Sequence, residues 1–120
     1  MPGRLPRLTR RGEFLRVAGH GRKAARPGLV LQALPQPGGK LRLGFTATKK
    51  IGNAVVRNRA KRRLRAAASQ LLPLLGRGGH DYVLVARGTT VARPFPALLS
   101  DITTALKAAH KKLDAKAGEI

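Results

Sequence analysis

The sequence predicts one mixed α/β domain, and three observations carry that reading. A chain of 120 residues with 42% apolar content can build one modest core, not two. Helix-period and strand-period segments alternate along it without internal repeats or low-complexity blocks. It has no cysteine, so neither a disulfide framework nor a thiolate metal site stands in for the core, and a reducing compartment, the cytoplasm, is the expected location. No run of eighteen apolar residues occurs, and the N-terminal "MPGRLPRLTRRGEF" lacks an apolar stretch, so neither a membrane span nor a signal peptide is expected.

Taken in order, Thr9 can cap a short helix that runs to about Ala18 and carries Phe14, Leu15 and Val17, before "GHGRKAARPG" breaks it. The segment "LVLQAL", residues 29–34, reads as a short strand. After the turn "PQPGG", "KLRLGFTA" alternates Leu41, Leu43, Phe45 and Ala47 with Arg42, Gly44 and Thr46, so these two strands are expected to pair as a hairpin. "IGN" is then a turn, with Asn53 the N-cap of a helix of about five turns. Its apolar stripe is Val56, Ala60, Leu64, Ala67 and Leu71. "GRGG" precedes another strand, "DYVLVA", residues 81–86, and Pro94 and Pro96 introduce a final helix with Leu99, Ile102, Leu106, Ala109 and Leu113 at three-four spacing. Residues 1–6 and 115–120 are expected to be flexible.

Charge narrows the function. Lysine and arginine number 25 against 5 carboxylates, a net charge of +20, and fifteen cations with no acid lie between Glu13 and Asp81. Self-repulsion of that size is ordinarily offset by a polyanionic partner, which points to nucleic acid ahead of an anionic membrane. The density peaks at residues 49–65, "KKIGNAVVRNRAKRRLR". At 100° per residue Asn58, Lys61, Arg62 and Arg65 lie opposite the apolar stripe, with Arg57, Arg59 and Arg63 flanking it. Several like-charge neighbours at i, i+3 and i, i+4, with cations near the positive helix start, together cost ~1–2 kcal/mol. A merely solubilising surface would mix signs instead. Lys49, Lys50, Arg57, Arg59, Lys61, Arg62 and Arg65, with Asn53 at the helix start, therefore read as a phosphate-tracking surface. Asn58 can both donate and accept, so it can bond a ribose 2′-OH or base edge, or fix the backbone that aims Arg57 and Arg59.

The stretch "TKKIGNAVVRNRAKRRLR" resembles the signature of the protein subunit of bacterial ribonuclease P, whose hallmark is the "RNR" helix. "RLTRRGEFLRVAGHGR" resembles that family's opening helix through Phe14, Val17, Gly21 and Arg22, and "DYVLVARGTT" resembles its late strand ending in Arg87. The resemblance implies an α+β fold: a two-layer α-β sandwich like the second domain of a small-subunit ribosomal protein. It would have a mixed sheet of about four strands, the order α-β-β-β-α-β-α, and a left-handed crossover. It also implies a division of labour. A catalytic RNA subunit, with magnesium, removes the 5′ leader of precursor tRNA, while the protein binds that RNA and the leader. The implied leader cleft, between the first helix and the sheet, comprises Arg11, Phe14, Ala18, Gln32 and Arg87. Family members commonly carry aromatics at the positions of Ala18 and Gln32, so leader binding here is expected to rely more on charge and hydrogen bonds. Phe14 reads equally well as a core residue.

The residues themselves offer no active site. Asp81 stands alone, neither Asp101 nor Asp114 has a carboxylate neighbour in sequence, and His20, His80 and His110 lack metal-ligand spacing. A small basic ribosomal protein would share the charge and size, and is the alternative. A membrane-active helix should show a Trp/Phe/Leu-rich face that the Ala-rich stripe lacks, and a DNA-compacting protein should bind duplex DNA as well as RNA.

Overall fold

The computed structural model describes residues 5–118. Three helices and four strands follow one another as α1 (Arg11–His20), β1 (Arg22–Arg26), β2 (Leu29–Pro35), β3 (Arg42–Thr46), α2 (Ala54–Leu75), β4 (His80–Ala86) and α3 (Phe95–Gly118). This is the α+β order that the resemblance implied. The strands form one mixed sheet in the order β1-β2-β4-β3, antiparallel except for the parallel pair β3 and β4.

The expected hairpin of β2 with β3 does not form, because β4 lies between them. β4 is the most continuously apolar strand: Tyr82, Val83, Leu84 and Ala86 are all buried, so it takes a central position with both faces covered. The linker from Pro35 to Arg42 easily spans the two inter-strand spacings, about 10 Å, needed to step over it. The true hairpin is β1 with β2, closed by Pro27 and Gly28. Sequence alone reads β1 as a breaker because "RKAAR" buries only Ala24 and shows little alternation.

On one face of the sheet Leu29, Leu31, Ala33, Leu43, Phe45, Tyr82 and Leu84 meet α2 and α3. The α2 contribution is Ala60, Leu64, Ala67, Ala68 and Leu72; the stripe drifts from the expected one because 3.6 residues per turn carries Leu72 inward past Leu71. In α3 Leu98, Ile102, Leu106 and Ala109 are fully or almost fully buried, with Leu98 in the place expected for Leu99.

The opposite face holds a smaller cluster of Leu8, Val17 and Val83, joined by Phe14, Leu34 and Val85 under α1. Thr9 does not cap α1. Arg10 is the N-cap residue, and Glu13 accepts the backbone N–H groups of Thr9 (3.0 Å) and Arg10 (2.9 Å). Of the ends expected to be flexible, residues 5–6 and 115–118 are described, and residues 1–4 and 119–120 lie outside the described residues. The Pro6 carbonyl accepts the Leu43 N–H and the Leu8 N–H donates to Leu43, adding a short bridge to the β3 edge. α3 continues to Gly118.

Candidate nucleic-acid interface

The turn before α2 is built from glycine and asparagine. Gly52 has φ +146°, where a side chain would also strike Val56, so only glycine brings Lys49 and Lys50 round to the helix start. Asn53 is the N-cap, as expected: its Oδ1 accepts the Val56 N–H at 3.0 Å. That oxygen is therefore committed to the fold.

Along α2 the cations divide into two flanks. Arg59, Arg62 and Arg63 line a depression with Phe95 at the start of α3, whereas Arg65 reaches Phe45 of β3 and shares its helix flank with Lys61 and Arg57, one and two turns earlier. Lys49, Lys50, Asn58, Arg59, Arg62 and Arg65 are exposed, while Arg57 and Lys61 are half-buried. Lys61 is thus less of an outermost residue than its helical angle suggests. Arg65 leans over the Phe45 ring at 5.8 Å, with Arg7 over the same ring at 5.2 Å. Arg63 is a tether, since its guanidinium donates to the carbonyls of Thr90 and Arg93. Asn58 is on the outward line between Arg57 and Arg59.

None of these α2 cations meets a carboxylate among the described residues. The four described acids are each claimed by an arginine from elsewhere. Arg42 holds buried Asp81 through two bonds of 2.7 Å and Glu13 through a third, and Arg16 lies 3.7 Å from Asp81. Arg93 grips Asp101, which also accepts the Gly28 N–H, and Arg77 grips Asp114. Hydrogen bonding to Asp81 raises the Arg42 pKa, and the Arg10 and Thr9 N–H groups hold the Glu13 carboxyl below its ordinary value. No group of three His, Asp or Glu side chains among the described residues is arranged to hold a metal ion.

The cleft residues lie on the α1 face. The Phe14 ring rests directly on the β3 backbone, where a Cβ at Gly44 would come within 2.5 Å of its edge, so this close approach requires glycine. Phe14 is half-buried and belongs to the small cluster, yet keeps an open side. Ala18 is half-buried one turn later, and Arg11 is exposed one turn earlier. Gln32 is almost buried at 9% exposure, opposite Val83 in the β2–β4 register. Arg87 stands apart, about 13 Å along β4 from Val83 at strand rise, and its guanidinium donates to the Arg26 carbonyl at the hairpin end. Phe14, Ala18 and Gln32 thus share the α1 side of the sheet, while Arg11 is exposed on α1 and Arg87 lies beyond the end of β4.

Sequence reading missed other residues on that side. Val30, Val85 and Thr46 are half-buried on the same face, and exposed Lys23, register partner of Gln32, adds a cation at its edge. Strand parity could have found Val30 and Val85; Lys23 was hidden because β1 was not recognised as a strand.

Comparisons with known proteins bear on the family and the fold. The sequence model of the ribonuclease P family matches residues 3–110. The chain is 51% identical over 112 residues to the ribonuclease P protein component of Paramagnetospirillum magneticum, covering 89% of this chain and 84% of that one. It is 49% identical to that of Gluconacetobacter diazotrophicus, with 91% and 95% covered. Among solved structures, the ribonuclease P protein of Thermotoga maritima superposes with a TM-score of 0.73 at 24% identity, over 85% of this chain and 96% of that one, which supports the fold.

Proposed function

The chain belongs to the bacterial ribonuclease P protein family, whose members assist an RNA subunit in processing the 5′ ends of precursor tRNAs, and from that premise we propose how its surfaces divide the work. It is a subunit of the ribonuclease P holoenzyme, an endoribonuclease, and the RNA subunit is its partner. The reading of a small basic ribosomal protein gives way to that membership.

The α2 surface, residues 49–65, grips the RNA subunit. The observation that carries this is the uncompensated charge: cations packed against one another, with every described carboxylate engaged elsewhere. Lys49, Lys50, Arg57, Arg59, Lys61, Arg62 and Arg65 supply phosphate contacts, each adding to the salt dependence of binding. Asn53 shapes the helix start. Asn58, exposed and with no side-chain hydrogen bond among the described residues, supplies the group that can tell a 2′-OH or base edge from a bare phosphate.

The α1 cleft takes the leader of the precursor. Phe14 offers one ring, Gln32 an amide and Val30 and Val85 an apolar floor, while Arg11, Lys23 and Arg87 stand at the rim for the leader phosphates. With one ring rather than several, leader discrimination is weak and contact is largely through charge and hydrogen bonds.

Bond cleavage belongs to the RNA subunit. The four described carboxylates are held by arginines, and in this reading the magnesium ions that activate water are held by the RNA. The chain acts as one domain, in the cytoplasm. Reconstitution with a ribonuclease P RNA at low magnesium tests this division: added protein should restore cleavage that the RNA alone performs poorly, and RNA-free protein should cleave nothing. Cleavage by the RNA-free protein, or an RNA indifferent to it, would overturn the reading.

A further inference from the structure

Where α2 meets the start of α3, Arg59, Arg62, Arg63 and Ala66 line an open depression of about 530 Å³ whose remaining wall is the ring of Phe95. The four α2 residues stand at i, i+3, i+4 and i+7, so one helix face is turned to this space. Its volume lies within the roughly 300–1,000 Å³ of small-ligand sites. Phe95 is half-buried, anchored at the first position of α3 between Pro94 and Pro96, with the Leu98 N–H bonded to the Pro94 carbonyl. The Arg63 guanidinium lies 5.9 Å from the ring centroid and is held in place by the Thr90 and Arg93 carbonyls. Arg59 and Arg62 remain exposed beside it, facing no carboxylate among the described residues.

The Phe95 ring packs against the hydrophobic core and also lines the depression. A fixed ring with free cations beside it is the arrangement that binds single-stranded nucleic acid, base on the aromatic face and backbone on the charges. Paired bases in a helix present no free face to such a ring. We propose that this depression seats one unpaired nucleotide of the RNA subunit, its base against Phe95 and its flanking phosphates on Arg59 and Arg62. The proposal rests on α2 being the RNA surface, and adds to it a contact that reads RNA structure rather than charge.

The chain has no tryptophan, so Phe95→Trp creates a single fluorescent reporter in the seat. Titrating that variant with ribonuclease P RNA should quench its emission through base stacking. Phe95→Leu, checked as folded by circular dichroism, should weaken RNA binding about 5- to 150-fold while leaving the salt slope unchanged. If Phe95→Leu does not fold, the tryptophan signal decides alone. Emission unchanged at saturating RNA, or a folded leucine variant that binds like wild type, would overturn the seat. The parent reading fails separately, if Arg59→Ala with Arg62→Ala leaves the salt slope unaltered.

Discussion

The two sides of the sheet treat charge in opposite ways. Under α1, Glu13, Arg16, Arg42 and Asp81 answer one another in a partly buried network, whereas α2 sets Arg57, Arg59, Lys61, Arg62 and Arg65 side by side with no carboxylate among the described residues to meet them. Both regions are cationic by composition. Paired cations are architecture, holding α1 to the sheet; unpaired ones cost stability and wait for a partner. The proposed cleft is thus built on an ion-paired frame, and the proposed RNA surface on a helix whose cations repel one another.

The largest expected effect comes from breaking the frame. Arg42→Ala removes both short hydrogen bonds to Asp81, whose side chain is fully buried, leaving it only Arg16 at 3.7 Å, and should cost up to about 3–5 kcal/mol of stability in chemical denaturation. The salt dependence of RNA binding by the remaining folded protein should not change. A loss of salt dependence there would mean that the two regions are not separate.

The next effect sharpens the cleft. Ala18→Phe places a second ring one turn from Phe14 and should tighten precursor binding by at most ~1–3 kcal/mol, leaving mature-tRNA binding as it is. Affinities for precursors with leaders of increasing length check this. Equal gains for precursor and mature tRNA in a folded variant would place Ala18 away from the leader, and a lowered melting temperature would report overpacking against the sheet.

The smallest effect is a pH dependence of the frame. Glu13 is held below its ordinary pKa of 4.5, first by the Arg10 and Thr9 N–H groups and also by Arg42. A carboxyl depressed in the folded state contributes stability that is fully present above its unfolded pKa and is lost as pH falls through the folded value. Glu13→Gln should therefore be less stable than wild type at neutral pH, and the gap should close in acid, below about pH 4.5. Melting curves over that range test it; a gap that persists in acid would assign the Glu13 contribution to something other than its charge.

How far each region was legible in the sequence follows the same division. The α2 surface was readable because its parts are contiguous: the Asn53 cap, the apolar stripe and the run of cations all express a local period. β4 was readable for the same reason. Strand order was not, because nothing local in "LVLQAL" or "KLRLGFTA" says that β4 will enter between them. β1 escaped because its burial rests on one alanine. In the cleft, Phe14, Ala18 and Gln32 came from family resemblance rather than pattern, and the Arg42–Asp81 pair that stiffens it joins residues 39 apart in the chain. A lone aspartate before an apolar strand gave no hint of its partner.

The contrast between paired and unpaired charge is tested most directly by measuring the affinity of the chain for ribonuclease P RNA across a range of salt concentrations, in wild type and in Arg59→Ala with Arg62→Ala. Two lost phosphate contacts should flatten the log–log slope by about 1.4–1.8, with folding unchanged or slightly improved as the like-charge repulsion is relieved. A folded double variant with the wild-type slope would contradict the account, because the exposed arginines of α2 would then not be what the RNA holds.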